Sequence, residues 1–160
     1  MLILALLIVL EDGSPIIFKQ QRMGRNKRPF TLMKFRSMRN HQGGSLITLG
    51  DRDPRVTRIG HYLRKWKLDE LPQIFNILRG EMSWVGPRPE VKKYVDLFTD
   101  DFDEVLKVRP GITDWASIKY RHEAEILAEQ EDPEAYYVQV ILPDKLKLAK
   151  KYVQQNNLWI

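Results

Sequence analysis

Asp69 and Glu70 stand side by side in "KLDELPQIF", residues 67–75, immediately before a Leu-Pro pair. An ionised carboxylate can attack phosphorus without help from a neighbouring base, because it is already deprotonated near neutral pH. Asp69 is the candidate nucleophile. At a helix start the free N–H groups and the positive end of the dipole favour anions, the carboxylate and a phosphate alike. Glu70 is then the hard-oxygen ligand available to Mg²⁺, which would bridge a carboxylate and a diphosphate. Arg88 lies between Pro87 and Pro89, on backbone biased to extended geometry, and could clamp phosphates bidentately. Lys34 and Arg36, at alternating positions of an extended run, should share a face and add positive charge. An acidic pair opening a helix is also a plain N-terminal cap, and spacing alone leaves that reading open.

The elements that must position these groups follow from pattern. Residues 15–39 place aromatic and branched runs on both sides of Gly24-Arg25-Asn26-Lys27, which predicts a hairpin. Residues 40–54 read as a glycine-rich loop. Val56, Ile59, Leu63 and Trp66 mark one helix face, with Arg55, Arg58, Arg64 and Lys65 pointing outward. Leu71, Ile74, Phe75 and Leu78 mark a second helix, with Pro72 in its first turn and Gly80 at its end. "SWVGPRPE" is extended, and "VRPGITDWAS" is a Pro-Gly loop. Beyond it "HEAEILAEQEDPEAYY" is helical, and Pro143 opens a last helix with Leu146, Ala149, Tyr152 and Val153 on one side.

At 160 residues and 43% apolar content the chain has material for one domain with its own core, and no internal repeat occurs. The absence of cysteine excludes disulfides, thiolate nucleophiles and cysteine zinc sites. His41, His61 and His122 lack metal-ligand spacing. Residues 1–67 carry 14 Lys and Arg against 4 Asp and Glu, so the net charge of +5 divides into a basic first part and an acidic second part. The basic part points toward an anion: nucleotide phosphates, nucleic acid or anionic lipid. No nucleic-acid-binding module or base-stacking platform accompanies it. "MLILALLIVL" is too short to span a bilayer and lacks the marks of a signal peptide. It reads either as a buried core segment or as part of a helix inserted into one leaflet.

The ordered blocks "SPIIFKQQRMG", "KFRSMR", "DPRVTRIGHYLRKWKLDELPQIFNILRGEMSWVGPRPE" and "VRPGIT" closely resemble the bacterial sugar transferases, the monotopic phosphoglycosyl transferases that load polyprenyl phosphate. The resemblance implies transfer of a sugar 1-phosphate from a UDP-sugar to polyprenyl phosphate, with release of UMP, at the cytoplasmic face of the bacterial inner membrane. By it, Asp69 attacks the sugar-side phosphate and holds the phosphosugar, and Glu70 binds Mg²⁺. Arg88 lies near the nucleotide diphosphate, Lys34 and Arg36 match the family's basic hairpin strand, and Arg109 is a further contact. The expected fold is α+β, a mostly helical, membrane-associated single domain with a small β-hairpin near the N-terminus. Residues 1–10 then correspond to a remnant of the family's re-entrant membrane helix, with truncation expected at both ends, and 11–160 to the catalytic domain. Ala149 stands where many members carry an acid. An inactive homologue serving as a membrane-associated binding or scaffold protein is the alternative, and self-association stays open.

Overall fold

A computed structural model describes residues 1–39, 47–50 and 53–156, the last without its side chain. His41, most of the 40–54 loop and the final residues 157–160 lie outside the described residues. An apolar helix α1 (Leu2–Asp12) leads into an antiparallel hairpin of β1 (Ile17–Met23) and β2 (Pro29–Phe35). Helix α2 (Arg58–Lys65), a 3₁₀ segment (Leu68–Gln73) and α3 (Ile74–Leu78) follow, then a short strand β3 (Ser83–Val85). Helices α4 (Lys92–Leu97) and α5 (Thr99–Val105) precede β4 (Gly111–Thr113), which pairs in parallel with β3. The remainder is helical: α6 (Trp115–Lys119), α7 (Glu123–Ala128), α8 (Pro133–Tyr136), a π turn (Tyr137–Ile141) and α9 (Leu142–Asn156). The architecture is thus α+β, with helices predominating around one small hairpin.

The predicted hairpin forms in register, Met23 opposite Pro29 and Phe18 opposite Lys34. Its turn takes left-handed backbone at Asn26 and Lys27, and the Asn26 N–H donates to Leu106 O at 2.7 Å, which pins the tip to the end of α5. The alternation of β2 decides what reaches the site. Phe30 and Leu32 are buried with Met82 against Ile77 and Ile112, and Lys34 is the next residue on that side. Phe35, on the opposite side, packs with Ile8 of α1 and Leu63 of α2. The main core is helical, built from Tyr94, Phe102, Leu106, Tyr137, Ile141 and Leu146 with their neighbours, and it includes Ala149.

Several expectations need correction. "MLILALLIVL" is not a buried core segment: Leu2 is 88% exposed, Ile3, Leu6 and Leu10 are also exposed, and only Ile8 of α1 is buried. Helix α2 starts later than its apolar spacing suggests, because Thr57 caps it by accepting from the Gly60 N–H at 2.9 Å. Val56 instead bridges to Met38, and Trp66 is exposed. The stripe Leu71, Ile74, Phe75 and Leu78 marks a helical segment but not its inward side. All four are exposed, whereas Asp69, Glu70, Gln73 and Asn76 are buried. The inward side is polar because it meets the β2 backbone and two cationic side chains, which supply partners that an apolar face could not use. Pro143 lies inside one helical run from Pro133 to Asn156, two residues beyond the end of the π turn, where its missing N–H is accommodated.

Asn76 splices the 3₁₀–α3 unit to β2. Its amide donates to Thr31 O at 2.8 Å and to Glu81 Oε2 at 2.7 Å, and its carbonyl accepts from the Met33 N–H at 3.2 Å. The side chain is fully buried and acts as an extra peptide group on the strand edge. Asn76→Ala leaves β2 donors and acceptors unpaired and should cost about 1–3 kcal/mol in urea unfolding. A cost below about 0.5 kcal/mol, the lower end for a net hydrogen bond, would show that the splice is dispensable.

Candidate active site

Three chain segments bring the site together. Lys67 adopts left-handed backbone (φ 55°), which ends α2 and starts the 3₁₀ segment, so Asp69 and Glu70 fall in its first turn. β2 presents Lys34. The third support is the β3–β4 pair, where backbone approaches backbone: a Cβ at Gly111 would come within 2.2 Å of Gly86 N, so glycine is required there. Gly111 N–H donates to Pro87 O and Gly86 N–H to Thr113 O. The Arg88 N–H donates to Asp114 Oδ2 at 3.2 Å, and Asp114 also caps α6 by accepting from the Ser117 N–H. On the far side Met23 N–H donates to Glu90 O, while the Glu90 carboxylate accepts from Tyr137 Oη at 2.7 Å and pairs with Arg22 at 3.2 Å. The Pro-Arg-Pro segment is therefore held from both ends.

Arg88 reaches back to Glu70. Its Nη2 lies 2.5 Å from Oε1 and its Nη1 3.4 Å from Oε2, with Nη1 also donating to Ile112 O. Lys34 Nζ sits 3.6 Å from the same Oε1. Burial pushes the Glu70 carboxyl up, but the Arg88 and Lys34 charges outweigh it and hold it down at about 2. Burial, helped by the Arg88 charge, brings the Lys34 ammonium down to about 8 despite the pull of Glu70 and Asp69. For Arg88, Glu70 more than offsets burial and lifts the guanidinium above its ordinary value. Asp69 goes the other way: burial raises its carboxyl, Lys34 opposes, and repulsion from Glu70 adds to the rise. Its Oδ1 is enclosed and, like Nε2 of Gln73 in the same segment, has no hydrogen-bond partner among the described residues. Two adjacent acids are thus driven in opposite directions, which is the arrangement expected where they do different work.

The sequence-predicted residues divide. Asp69, Glu70, Lys34 and Arg88 converge. Arg36 does not: just past the end of β2, its guanidinium turns to the carbonyls of Asp12, Gly13 and Ser14. Arg109 is exposed and has no side-chain ion pair among the described residues. Ala149 lies in the helical core. Among the described residues no three acidic or histidine side chains converge as a ready-made metal site. Asn76, Asp114 and the Glu90–Arg22–Tyr137 group were not picked out by residue spacing. Asn76 interrupts an apolar pattern, Asp114 precedes a Ser at capping distance and Glu90 closes the Pro-Arg-Pro motif, so each left a trace in the sequence; Arg22 and Tyr137 left none.

The family model described as bacterial sugar transferase matches residues 1–160. The chain belongs to the bacterial sugar transferase family. It is 43% identical over 129 residues to a UDP-N-acetylgalactosamine-undecaprenyl-phosphate N-acetylgalactosaminephosphotransferase of Aeromonas hydrophila, covering 78% of this chain and 30% of that protein. It is 40% identical over 133 residues to the UDP-glucose:undecaprenyl-phosphate glucose-1-phosphate transferase of Escherichia coli K12, covering 80% and 29% respectively. It is 44% identical over 113 residues to the uncharacterized sugar transferase EpsL of Bacillus subtilis, covering 71% and 55%. This sugar transferase chain thus spans from under a third to just over half of these relatives' lengths.

The raised carboxyl of Asp69 makes a stability prediction with a definite sign. Between its unfolded and folded pKa values the native state binds the extra proton, so stability falls as pH rises through that window. Above it the ionised carboxylate is penalised in full. Asp69→Asn should therefore melt higher than wild type near neutral pH, each kcal/mol recovered appearing as about 2–4 °C. The gap should close as pH falls into the ordinary carboxylate range. Calorimetry across pH checks this, and an Asn variant that melts lower at neutral pH would contradict the assignment.

Proposed function

We propose that this chain transfers a sugar 1-phosphate from a UDP-sugar to polyprenyl phosphate through a phosphosugar held on Asp69. The carrying observation is the pairing of a partnerless, buried Asp69 oxygen with an adjacent Glu70 on which two cations converge. In the first half-reaction an Asp69 oxygen attacks the sugar-side phosphorus, a new O–P bond forms, and the bond to the nucleotide phosphate breaks with its electron pair leaving on UMP. In the second, an oxygen of the lipid phosphate attacks the same phosphorus and releases the Asp69 carboxylate, giving the lipid diphosphate sugar. Lys34 and Arg88 carry the positive charge that the diphosphate needs, and an incoming diphosphate competes with Glu70 for Arg88. In-line displacement at phosphorus chiefly requires such positioning and neutralisation.

Glu70, once shared less with Arg88, offers two hard oxygens, a donor set that suits Mg²⁺ when substrate phosphates complete the shell. Bound there, Mg²⁺ would neutralise the diphosphate and stabilise the leaving UMP. The relatives' names support the donor and acceptor classes, naming UDP-sugars and undecaprenyl phosphate. No described helix is long and apolar enough to cross a membrane. The exposed side chains of α1 nevertheless offer an apolar surface to one leaflet, consistent with work at the cytoplasmic face of the inner membrane beside anionic lipid.

Intact mass measurement after incubation with a panel of UDP-sugars and Mg²⁺ tests the reading. The chain should release UMP and gain one phosphosugar, and Asp69→Asn should gain nothing. A folded wild-type chain that does neither with any donor would be a non-catalytic binding homologue. The pH profile adds a second test, since kcat/KM reports groups of the free enzyme. UMP release should fall as pH passes about 8, where Lys34 loses its charge, and Lys34→Arg, which keeps the charge, should carry the basic limb upward. An unmoved limb would remove Lys34 from that role.

A further inference from the structure

Helix α1 has one buried side chain, Ile8, packed with Phe35 and Leu63. Leu4 and Ala5 add only partly buried contacts to the same small cluster, a narrow apolar footing for an 11-residue helix whose remaining apolar side chains are mostly exposed. Two polar fastenings at its C-terminal end supply the missing restraint. The Arg36 guanidinium donates to Asp12 O and Gly13 O, each at 2.7 Å, and to Ser14 O at 3.2 Å, and it pairs with Asp12 Oδ2 at 3.3 Å. The last carbonyls of a helix have no intrahelical donors, and a planar guanidinium with five N–H groups can serve several at once. Arg36 is only 7% exposed, so these partners are also what keeps its charge from being stranded. The second fastening is Glu11, whose two carboxylate oxygens accept from the Arg58 and Ile59 N–H groups at 2.7 and 2.8 Å, capping α2 from outside the helix.

The two fastenings join α1 to elements whose own placement is secured elsewhere, β2 by its pairing with β1 and by Asn76, and α2 by its Thr57 cap. Arg36 is two residues beyond Lys34 on the chain from β2, and α2 runs through Trp66 and Lys67 directly to Asp69. We propose that Arg36 and Glu11 are positioning residues that set the angle at which α1 leaves the catalytic body, and that they thereby serve the acceptor half-reaction and leave the donor half-reaction alone. The inference rests on the proposed function for its catalytic consequence and on geometry alone for the restraint. It also gives Arg36 a task other than phosphate binding, since both terminal nitrogens are committed to residues 12–14.

The chain has no cysteine, so Leu6→Cys and Val140→Cys, both at exposed positions, give a unique spin-label pair across the α1 junction. In phosphatidylethanolamine–phosphatidylglycerol vesicles the parent should give one narrow distance distribution. Arg36→Ala and Glu11→Ala should each broaden it, and Arg36→Lys should partly restore it. The UMP burst without acceptor should match the parent in both variants, while transfer to polyprenyl phosphate in the vesicles falls on the order of 10- to 100-fold, the range a small misplacement costs. Unchanged distributions in both variants, or a burst lost in parallel with transfer, would overturn the proposal. A parent that shows no burst would count against the functional reading, and the distance measurement would still decide the restraint. Glu11→Ala, at a more exposed site, keeps the test decisive if Arg36→Ala fails to fold.

Discussion

The site depends on one buried carboxylate, Glu70, shared between Arg88 and Lys34. A desolvated anion is tolerable only with such partners, and breaking a buried pair from one side costs about 3–5 kcal/mol because the remaining charge is stranded. This requirement forces three distant parts of the chain together: the strand that carries Lys34, the turn after α2 that carries the acids, and the Pro-Arg-Pro support. It also fixes the contrast with Asp69, which shares the same buried turn but has an oxygen without a partner among the described residues. The carboxylate that is satisfied stays ionised. The one beside it is held up by burial and by repulsion from Glu70.

Around that cluster lies a set of fastenings whose job is alignment. Asn76 ties the acidic turn to β2, Asp114 and the Gly86–Gly111 contact hold Arg88 from one side, and Glu90 with Arg22 and Tyr137 holds it from the other. Apart from the close backbone approach of Gly86 and Gly111, these are hydrogen bonds or ion pairs in poorly hydrated surroundings, where geometry is enforced because an unmade bond is costly. Apolar packing, by contrast, falls mostly in the helical second part. The chain therefore separates a helical core that supplies bulk stability from a polar frame that supplies precision.

Much of this was legible in residue order. The hairpin announced itself by alternation and a turn-forming centre. The acidic pair, Arg88 and Lys34 stood out by charge type next to structure-breaking residues, and all four meet. What misled was the assumption that apolar spacing marks the inward side. Leu71, Ile74, Phe75 and Leu78 have helical spacing yet face out, because Glu70 and Asn76 find better partners on β2 and Arg88 than a leucine would. Arg36 misled for a related reason: alternation on a strand predicts a face only while the strand lasts, and β2 ends at Phe35. Residues such as Arg22 and Tyr137 become visible only through contacts between segments far apart in sequence, which no local pattern encodes.

The division of labour between the two acids can be measured without substrate. Carbon-detected NMR titration of protein labelled at aspartate and glutamate side-chain carboxyls would follow Asp69 and Glu70 individually, with Asp69→Asn and Glu70→Gln assigning the signals. Glu70 should titrate near the bottom of the scale, at about 2, and Asp69 above the ordinary aspartate range. Two carboxyls titrating together at ordinary values would mean that Arg88 and Lys34 do not distinguish them, and the assignment of separate roles would be contradicted.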